Sequence, residues 1–133
     1  MSLKPTVFLV EDDARSLRAL SALLHSMGIR YTRNTTGALV VEQIRATRPR
    51  PDFILLNVDL PDGDAFAIYQ EILADPVLGQ IPVIALTDTQ ILPDILAQIQ
   101  SHSFAGTLHK PVSQPVLERL LEAVSGRSAG RAG

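Results

Sequence analysis

Residues with reactive or ligating side chains follow the apolar runs of this sequence. They supply carboxylate, amide, hydroxyl and ammonium groups, and each group stands directly behind a run such as TVFLV, FILL, PVIAL or GTLH. In chain order they are Glu11, Asp12, Asp13, Asn57, Thr87, Asp88 and Lys110. Oxygen ligands of this kind suit Mg²⁺, which takes few carboxylates and keeps several of its waters. A cation site requires that the runs bring these residues together.

The apolar runs have the lengths and composition of β-strands. Residues 6–10, 53–56 and 82–86 are continuously apolar, which is typical of strands covered on both faces. Residues 29–33 alternate in polarity and residues 106–109 are short and mixed, so both predict edge strands. The sequence therefore predicts five strands, of which the first, third and fourth are buried.

Helical periodicity fills the intervals between the strands. The first helix presents one apolar stripe, formed by Leu17, Leu20, Leu24 and Met27. A second helix is predicted after a cap at Thr35 or Thr36, a third after Asp64, and a fourth over residues 92–100 with Pro93 in its first turn. A final stripe near the carboxyl end predicts the fifth helix.

Five strand-then-helix repeats with short connections predict an α/β fold, a doubly wound parallel sheet with helices on both faces. If the second and fifth strands are the edges, the strand order is 2-1-3-4-5, the flavodoxin-like (βα)5 winding. Its ligands bind at the carboxyl ends of the first and third strands, where the winding reverses. Glu11, Asp12 and Asn57 are predicted to lie there.

Composition limits the classes of function. The 133 residues suit one domain, and a net charge of −2 provides no basic field for nucleic acid or a membrane surface. Cysteine is absent, which excludes disulfides and thiolate chemistry. No apolar run approaches the roughly 18 residues of a membrane span. We expect a cytoplasmic protein.

Four motifs together resemble the receiver domain of bacterial two-component response regulators. They are VFLVEDD, PDFILLNVDLPDGD, IPVIALTD and LHKP, and they occur in the order and spacing of that family. The resemblance covers about residues 5–125. It predicts an N-terminal extension over residues 1–4 and a flexible tail over residues 126–133.

The resemblance implies a role for each matching position. Glu11 and Asp12 match the acidic pair that holds Mg²⁺, and Asp59 matches the residue whose backbone carbonyl also binds the metal. Thr87 and Lys110 match the residues that contact the phosphoryl group. A proline that usually follows a cis peptide bond matches Pro111, and the phosphoacceptor aspartate falls on Asn57.

Three positions depart from the pattern of the family. An amide at Asn57 is a poor nucleophile and cannot form the acyl phosphate that a carboxylate forms. Asp88 replaces a small residue and narrows the entrance to the site. Thr107 replaces the aromatic switch residue, and Phe104 lies three positions too early to substitute for it. A single replacement at Asn57, natural or engineered, would leave Asp88 and Thr107 unexplained.

Simpler roles compete with these. Asp13 is predicted to cap the first helix, Asn57 suits a polar strand end that bonds nearby backbone, and Lys110 suits structural pairing with Asp12. Asp59 or Asp88 as a shifted phosphoacceptor remains an alternative. Fold analogy alone suggests a small-molecule binder, for instance of flavin.

The sequence favours a degenerate receiver, or pseudo-receiver, that acts in signal transduction without being phosphorylated and is not an enzyme. Its expected partner is a histidine kinase or another regulator, bound through the last two helices and the last strand, with a homodimer as a further option. We expect no contact with nucleic acid or a membrane. Mg²⁺ binding is expected to be weakened, because Asn57 removes one negative charge from the site.

Overall fold

The strands of the protein form one parallel sheet. A computed structural model describes residues 5–60, 65–88 and 92–132, the last seven of these by their backbone. The strand order in the sheet is 2-1-3-4-5, and every neighbouring pair is parallel. The predicted flavodoxin-like winding is confirmed. The first and third strands lie side by side in the middle, so their carboxyl ends meet at one end of the sheet.

Several strands extend further than the apolar runs indicate. The strands are β1 (Thr6–Val10), β2 (Arg30–Asn34), β3 (Phe53–Asn57), β4 (Val83–Asp88) and β5 (Gly106–Lys110). β3 includes Asn57, β4 includes Thr87 and Asp88, and β5 includes Lys110. Because the ladder continues through these residues, with Asn57 paired to Leu86, the sheet itself holds the polar groups in place.

Five helices connect and follow the strands. They are α1 (Ala14–Ser26), α2 (Val40–Ala46), α3 (Ala65–Ala74), α4 (Pro93–Ser101) and α5 (Gln114–Ala132). A short 3-10 helix spans Leu78–Gln80. Pro93 stands in the first turn of α4, where its missing N–H has no partner to lose. Pro61 and Asp64, in the turn predicted before α3, lie outside the described residues.

The first two helices begin differently. Asp13 caps α1, since its carboxylate accepts the N–H of Ser16 at 2.8 Å, which confirms the predicted cap. The prediction of a cap at Thr35 or Thr36 for α2 was wrong. The residue before α2 is Leu39, in the left-handed conformation with φ of 57° and no side-chain cap bond. The Thr36 hydroxyl is used earlier in the turn, where it accepts the N–H of Ala38.

The backbone of α5 continues through most of the segment predicted as a flexible tail. The helix reaches Ala132, whereas the tail was predicted to begin at residue 126. Arginine and alanine recur in this segment and are among the better helix formers. The division into residues 1–4, 5–125 and 126–133 remains a prediction.

The sheet separates two apolar layers. One contains buried residues of α2, α3 and α4, among them Ile44, Ile72 and Ile99. The other contains buried residues of α1 and α5, among them Leu24 and Leu117. Because both faces are covered, the central strands are apolar until they reach the carboxyl end of the sheet, where the polar residues begin.

Candidate functional site

The structure brings the predicted site residues together at the carboxyl ends of the central strands. A chain of contacts joins Lys110 to Glu11, Glu11 to Asn57, Asn57 to Asp59, and Asp59 to Thr87. These residues come from β5, the end of β1, β3 and β4. The network therefore links four strands of the sheet.

Glu11 lies at the centre of this network and is fully buried. Its Oε1 lies 2.8 Å from Nζ of Lys110, whose side chain is 11% exposed. Its Oε2 accepts from Asn57 Nδ2 at 2.6 Å and from the N–H of Asp13 at 3.2 Å. Both carboxylate oxygens are thus engaged by donors within the protein.

Lys110 was expected to pair with Asp12 if its role were structural, whereas the structure places its ammonium against Glu11. The reason lies in the backbone. The N–H of Glu11 bonds to the carbonyl of Asn34 on β2, so residue 11 continues the line of β1 and turns its side chain inward. Asp12 follows and is half-buried.

Asn57 is buried at the end of β3, with 2% of its surface exposed. Its Nδ2 donates to Glu11 and also to Oδ1 of Asp12 at 3.2 Å. Its Oδ1 accepts the N–H of Asp59 at 3.0 Å. The opposite orientation of the amide would turn oxygen toward carboxylates and nitrogen toward an N–H, so the three contacts determine the orientation.

Asp59 turns its side chain toward β4. Its Oδ2 accepts the Thr87 hydroxyl at 3.3 Å and the N–H of Asp88 at 3.0 Å. Thr87 is fully buried, whereas Asp59 is half-buried and Asp88 is exposed. The sequence suggests that Asp59 could reach the pocket, but it gives no sign that Thr87 and Asp88 would hold the same oxygen.

The remaining predicted positions lie in β5 or near it in sequence, and Pro111 directly follows Lys110. Thr107 is half-buried in β5, where it pairs with Ala85. The peptide bond between Lys110 and Pro111 is cis. Phe104 packs against Tyr69 with ring centroids 4.3 Å apart.

Phe104 belongs to an aromatic cluster that sequence reasoning missed. Its other members are Phe66 and Tyr69 of α3 and His102 at the end of α4. Burial raises the pKa of Tyr69 above its ordinary value. The spacing of Phe66 and Tyr69 on one helix face was the available signal.

The arrangement is poorly suited to Mg²⁺. Both oxygens of Glu11 are engaged, and Asn57 presents N–H groups, not oxygen, to the acidic pair. A cation ligand must supply a lone pair. Across residues 5–60, 65–88 and 92–125, no three His, Cys, Asp or Glu side chains are grouped so as to hold a metal ion.

Comparison with known proteins gives the family. The sequence profile of the response regulator receiver domain matches residues 7–123. The chain belongs to this family. Among curated receiver proteins, it is 30% identical to the response regulator Rcp1 of Synechocystis, over 72% of this chain and 70% of that protein. It is 27% identical to the polar-differentiation response regulator DivK of Brucella anthropi, over 90% and 92% respectively.

Solved receiver structures share the fold. The receiver domain of the sensor histidine kinase PA1611 from Pseudomonas aeruginosa has a TM-score of 0.76 and 30% identity, covering 93% of this chain and 99% of that one. That structure is described with a magnesium ion coordinated in its active site cleft. The signal receiver domain of a histidine kinase from Syntrophus aciditrophicus has a TM-score of 0.78 and 26% identity, over 92% and 91%.

As a member of the receiver family, the chain acts in two-component signalling. Within the part of the chain that the structure describes, no helix combines the length and the apolar character needed to span a membrane.

Proposed function

We propose that this receiver works without phosphorylation, as a protein-interaction module in two-component signalling. The observation that carries the proposal is the Asn57 amide, which donates to both Glu11 and Asp12. In the family the matching position is the phosphoacceptor aspartate. Here the residue has no carboxylate to form an acyl phosphate, and its N–H groups lie against the acids that would hold the metal.

The amide takes over part of the role of a cation in this proposal. A bound cation would screen the carboxylates of Glu11 and Asp12 from each other, and the Asn57 N–H groups together with the Lys110 ammonium supply positive charge density at the same place. Binding of Mg²⁺ would require the amide to turn round and lose its bond from the Asp59 N–H. We therefore expect Mg²⁺ to bind weakly.

The partner surface proposed is the outer side of α4, β5 and α5. Leu92 and Leu96 are 69% and 41% exposed, and Val116 on α5 is 46% exposed. Ile99 is the buried residue of α4. Three exposed apolar side chains on or next to these elements suit the core of a protein interface, here with a histidine kinase or another regulator, or with a second copy of the chain.

The test is the intact mass of the protein after incubation with acetyl phosphate and Mg²⁺. The unmodified chain should gain no phosphate, because no carboxylate stands at position 57. The variant Asn57→Asp should bind Mg²⁺ more tightly than the unmodified chain, and the double variant with Asp88→Ala should be phosphorylated most readily. A phosphorylated unmodified chain would overturn the proposal.

One observation supports a second candidate function, a phosphoryl-accepting receiver that uses Asp59. Its carboxylate lies beside Thr87, whose counterpart in the family contacts the phosphoryl group. Asp88 is a weaker candidate, since its side chain is exposed. Phosphate on Asp59 would be released in alkali, as acyl phosphates are, and peptide mapping would locate it.

A further inference from the structure

Two hydrogen-bond donors converge on one point at the end of β4. The Thr87 hydroxyl lies 3.3 Å from Oδ2 of Asp59, and the N–H of Asp88 lies 3.0 Å from the same oxygen. Thr87 is fully buried, so its hydroxyl has to find its acceptor within the protein or lose about 1–3 kcal/mol. A negatively charged oxygen held by two donors is the arrangement of an oxyanion site.

The anion that occupies this site is the carboxylate of Asp59, a residue of the same chain. The N–H of Asp59 is held by Oδ1 of Asn57, a residue that is 2% exposed. The backbone of Asp59 is therefore anchored at one bond and its carboxylate at two others. Since the carboxylate is tethered, it competes against a free anion with the advantage of a high effective concentration.

Charge at this end of the sheet reinforces that advantage. Glu11, Asp12 and Asp88 add three carboxylates to that of Asp59 at this end of the sheet, and the Lys110 ammonium lies against Glu11. A free oxyanion approaching from solvent meets net negative potential, and a doubly charged one meets twice the repulsion. The Asp59 carboxylate is part of the chain, so the same repulsion acts on it during folding and not on each binding event.

We propose that the Thr87 hydroxyl and the Asp88 N–H form an oxyanion site that the protein fills permanently with its own Asp59 carboxylate. The site accepts small, singly charged oxyanions of the carboxylate class when Asp59 is removed. Through its bond to Asp88, the last residue of β4, Asp59 also anchors the chain just before Leu92 and α4, which belong to the proposed partner surface. The inference rests on the proposed function, because a receiver that works without phosphorylation can keep this anion site filled permanently.

The test uses formate, the anion that matches the group lost when Asp59 becomes alanine. The amide resonance of Asp88 is followed by NMR during a formate titration, without metal or phosphoryl donor. In Asp59→Ala we expect a saturable shift. In the unmodified chain and in Asp59→Asn we expect none, because the asparagine keeps an acceptor oxygen while losing the charge.

Three results would overturn the inference. They are a saturable shift in the unmodified chain, the absence of a shift in Asp59→Ala, and a shift in Asp59→Asn equal to that in Asp59→Ala, which would make charge and not occupancy the cause. Adding Thr87→Val to Asp59→Ala should weaken formate binding about tenfold or more, since a hydrogen bond to a charged group is lost.

A second measurement needs no variant of Asp59. In the unmodified chain the amide hydrogen of Asp88 should exchange with solvent at least about tenfold more slowly than an unbonded amide. Unprotected exchange there would contradict the inference. These experiments detect reversible anion binding, whereas the mass measurement detects covalent phosphate, so either proposal can fail while the other survives.

Discussion

The carboxyl end of the sheet and the outer face of α4 differ in whether their side chains already have partners within the protein. At the end of the sheet, polar groups that would serve a ligand are bonded to one another, as Glu11 is to Lys110 and Asn57. At the start of α4 and on the helix itself, apolar groups that could serve the core are exposed, as Leu92 and Leu96 are. The polar groups of the site are bonded to one another, whereas apolar side chains of the helix remain exposed to solvent.

This difference indicates where binding energy is available. A ligand at the sheet end must first break bonds that already exist, such as the 2.6 Å contact between Asn57 and Glu11. A partner on α4 gains by covering Leu96 and displaces only water, at about 25 cal/mol per Å² of apolar surface. The comparison therefore favours partner binding over ligand chemistry as the activity of this domain.

The largest effect is expected from breaking the network at Lys110. Lys110→Met leaves the Glu11 carboxylate buried without its ion-pair partner, and the free energy of unfolding should fall by about 3–5 kcal/mol. Urea denaturation measures this change. The control Arg119→Met removes an exposed cation of α5 and should cost no more than about 0.5 kcal/mol. Equal effects of the two variants would show that the network does not stabilise the fold.

A somewhat smaller effect separates the two sides of α4. Ile99→Ala should lower the free energy of unfolding by about 2–5 kcal/mol, because Ile99 packs in the core. Leu96→Ala, three residues earlier, should change it by no more than about 0.5 kcal/mol, because the side chain is 41% exposed. Urea denaturation of both variants tests this. If Leu96→Ala were as costly as Ile99→Ala, the residue would belong to the core and the proposed partner surface would lose its centre.

The fold was predictable because its signals are local. Continuous apolar runs and helical stripes gave the elements, and their alternation gave the parallel sheet. The fold also explains why polar residues at the ends of the runs converge. By contrast, the start of α2 was predicted wrongly because the helix begins after Leu39, whose left-handed conformation has no recognisable signal in the sequence.

The contacts within the site depend on side-chain directions and on residues far apart in sequence. Glu11 meets Asn57 across 46 positions and Lys110 across 99. Local patterns placed these residues at one end of the sheet, but they indicated Asp12 as the structural partner of Lys110, whereas the ion pair is with Glu11. The orientation of the Asn57 amide likewise depends on three neighbours at once.

The smallest effect is expected at Asp13, an exposed acid at the same end of the sheet. The N–H of Ser16 donates to its carboxylate and holds the pKa of Asp13 below its ordinary value of 3.8. A lowered folded pKa means that the charged form stabilises the fold above pH 3.8 and that this contribution is lost as the pH falls through the lowered value. Asp13→Ala should therefore lower the urea midpoint at neutral pH, and the difference from the unmodified chain should shrink in strong acid.

The matched control for this prediction is Asp13→Asn, which keeps an acceptor for the Ser16 N–H and cannot titrate. Its difference from Asp13→Ala should stay constant over the same pH range. If the difference between Asp13→Ala and the unmodified chain were equally constant, the charge of Asp13 would contribute nothing. Asp13 would then stabilise α1 by hydrogen bonding alone, and the acids at this end of the sheet would act on the fold only through the buried network around Glu11.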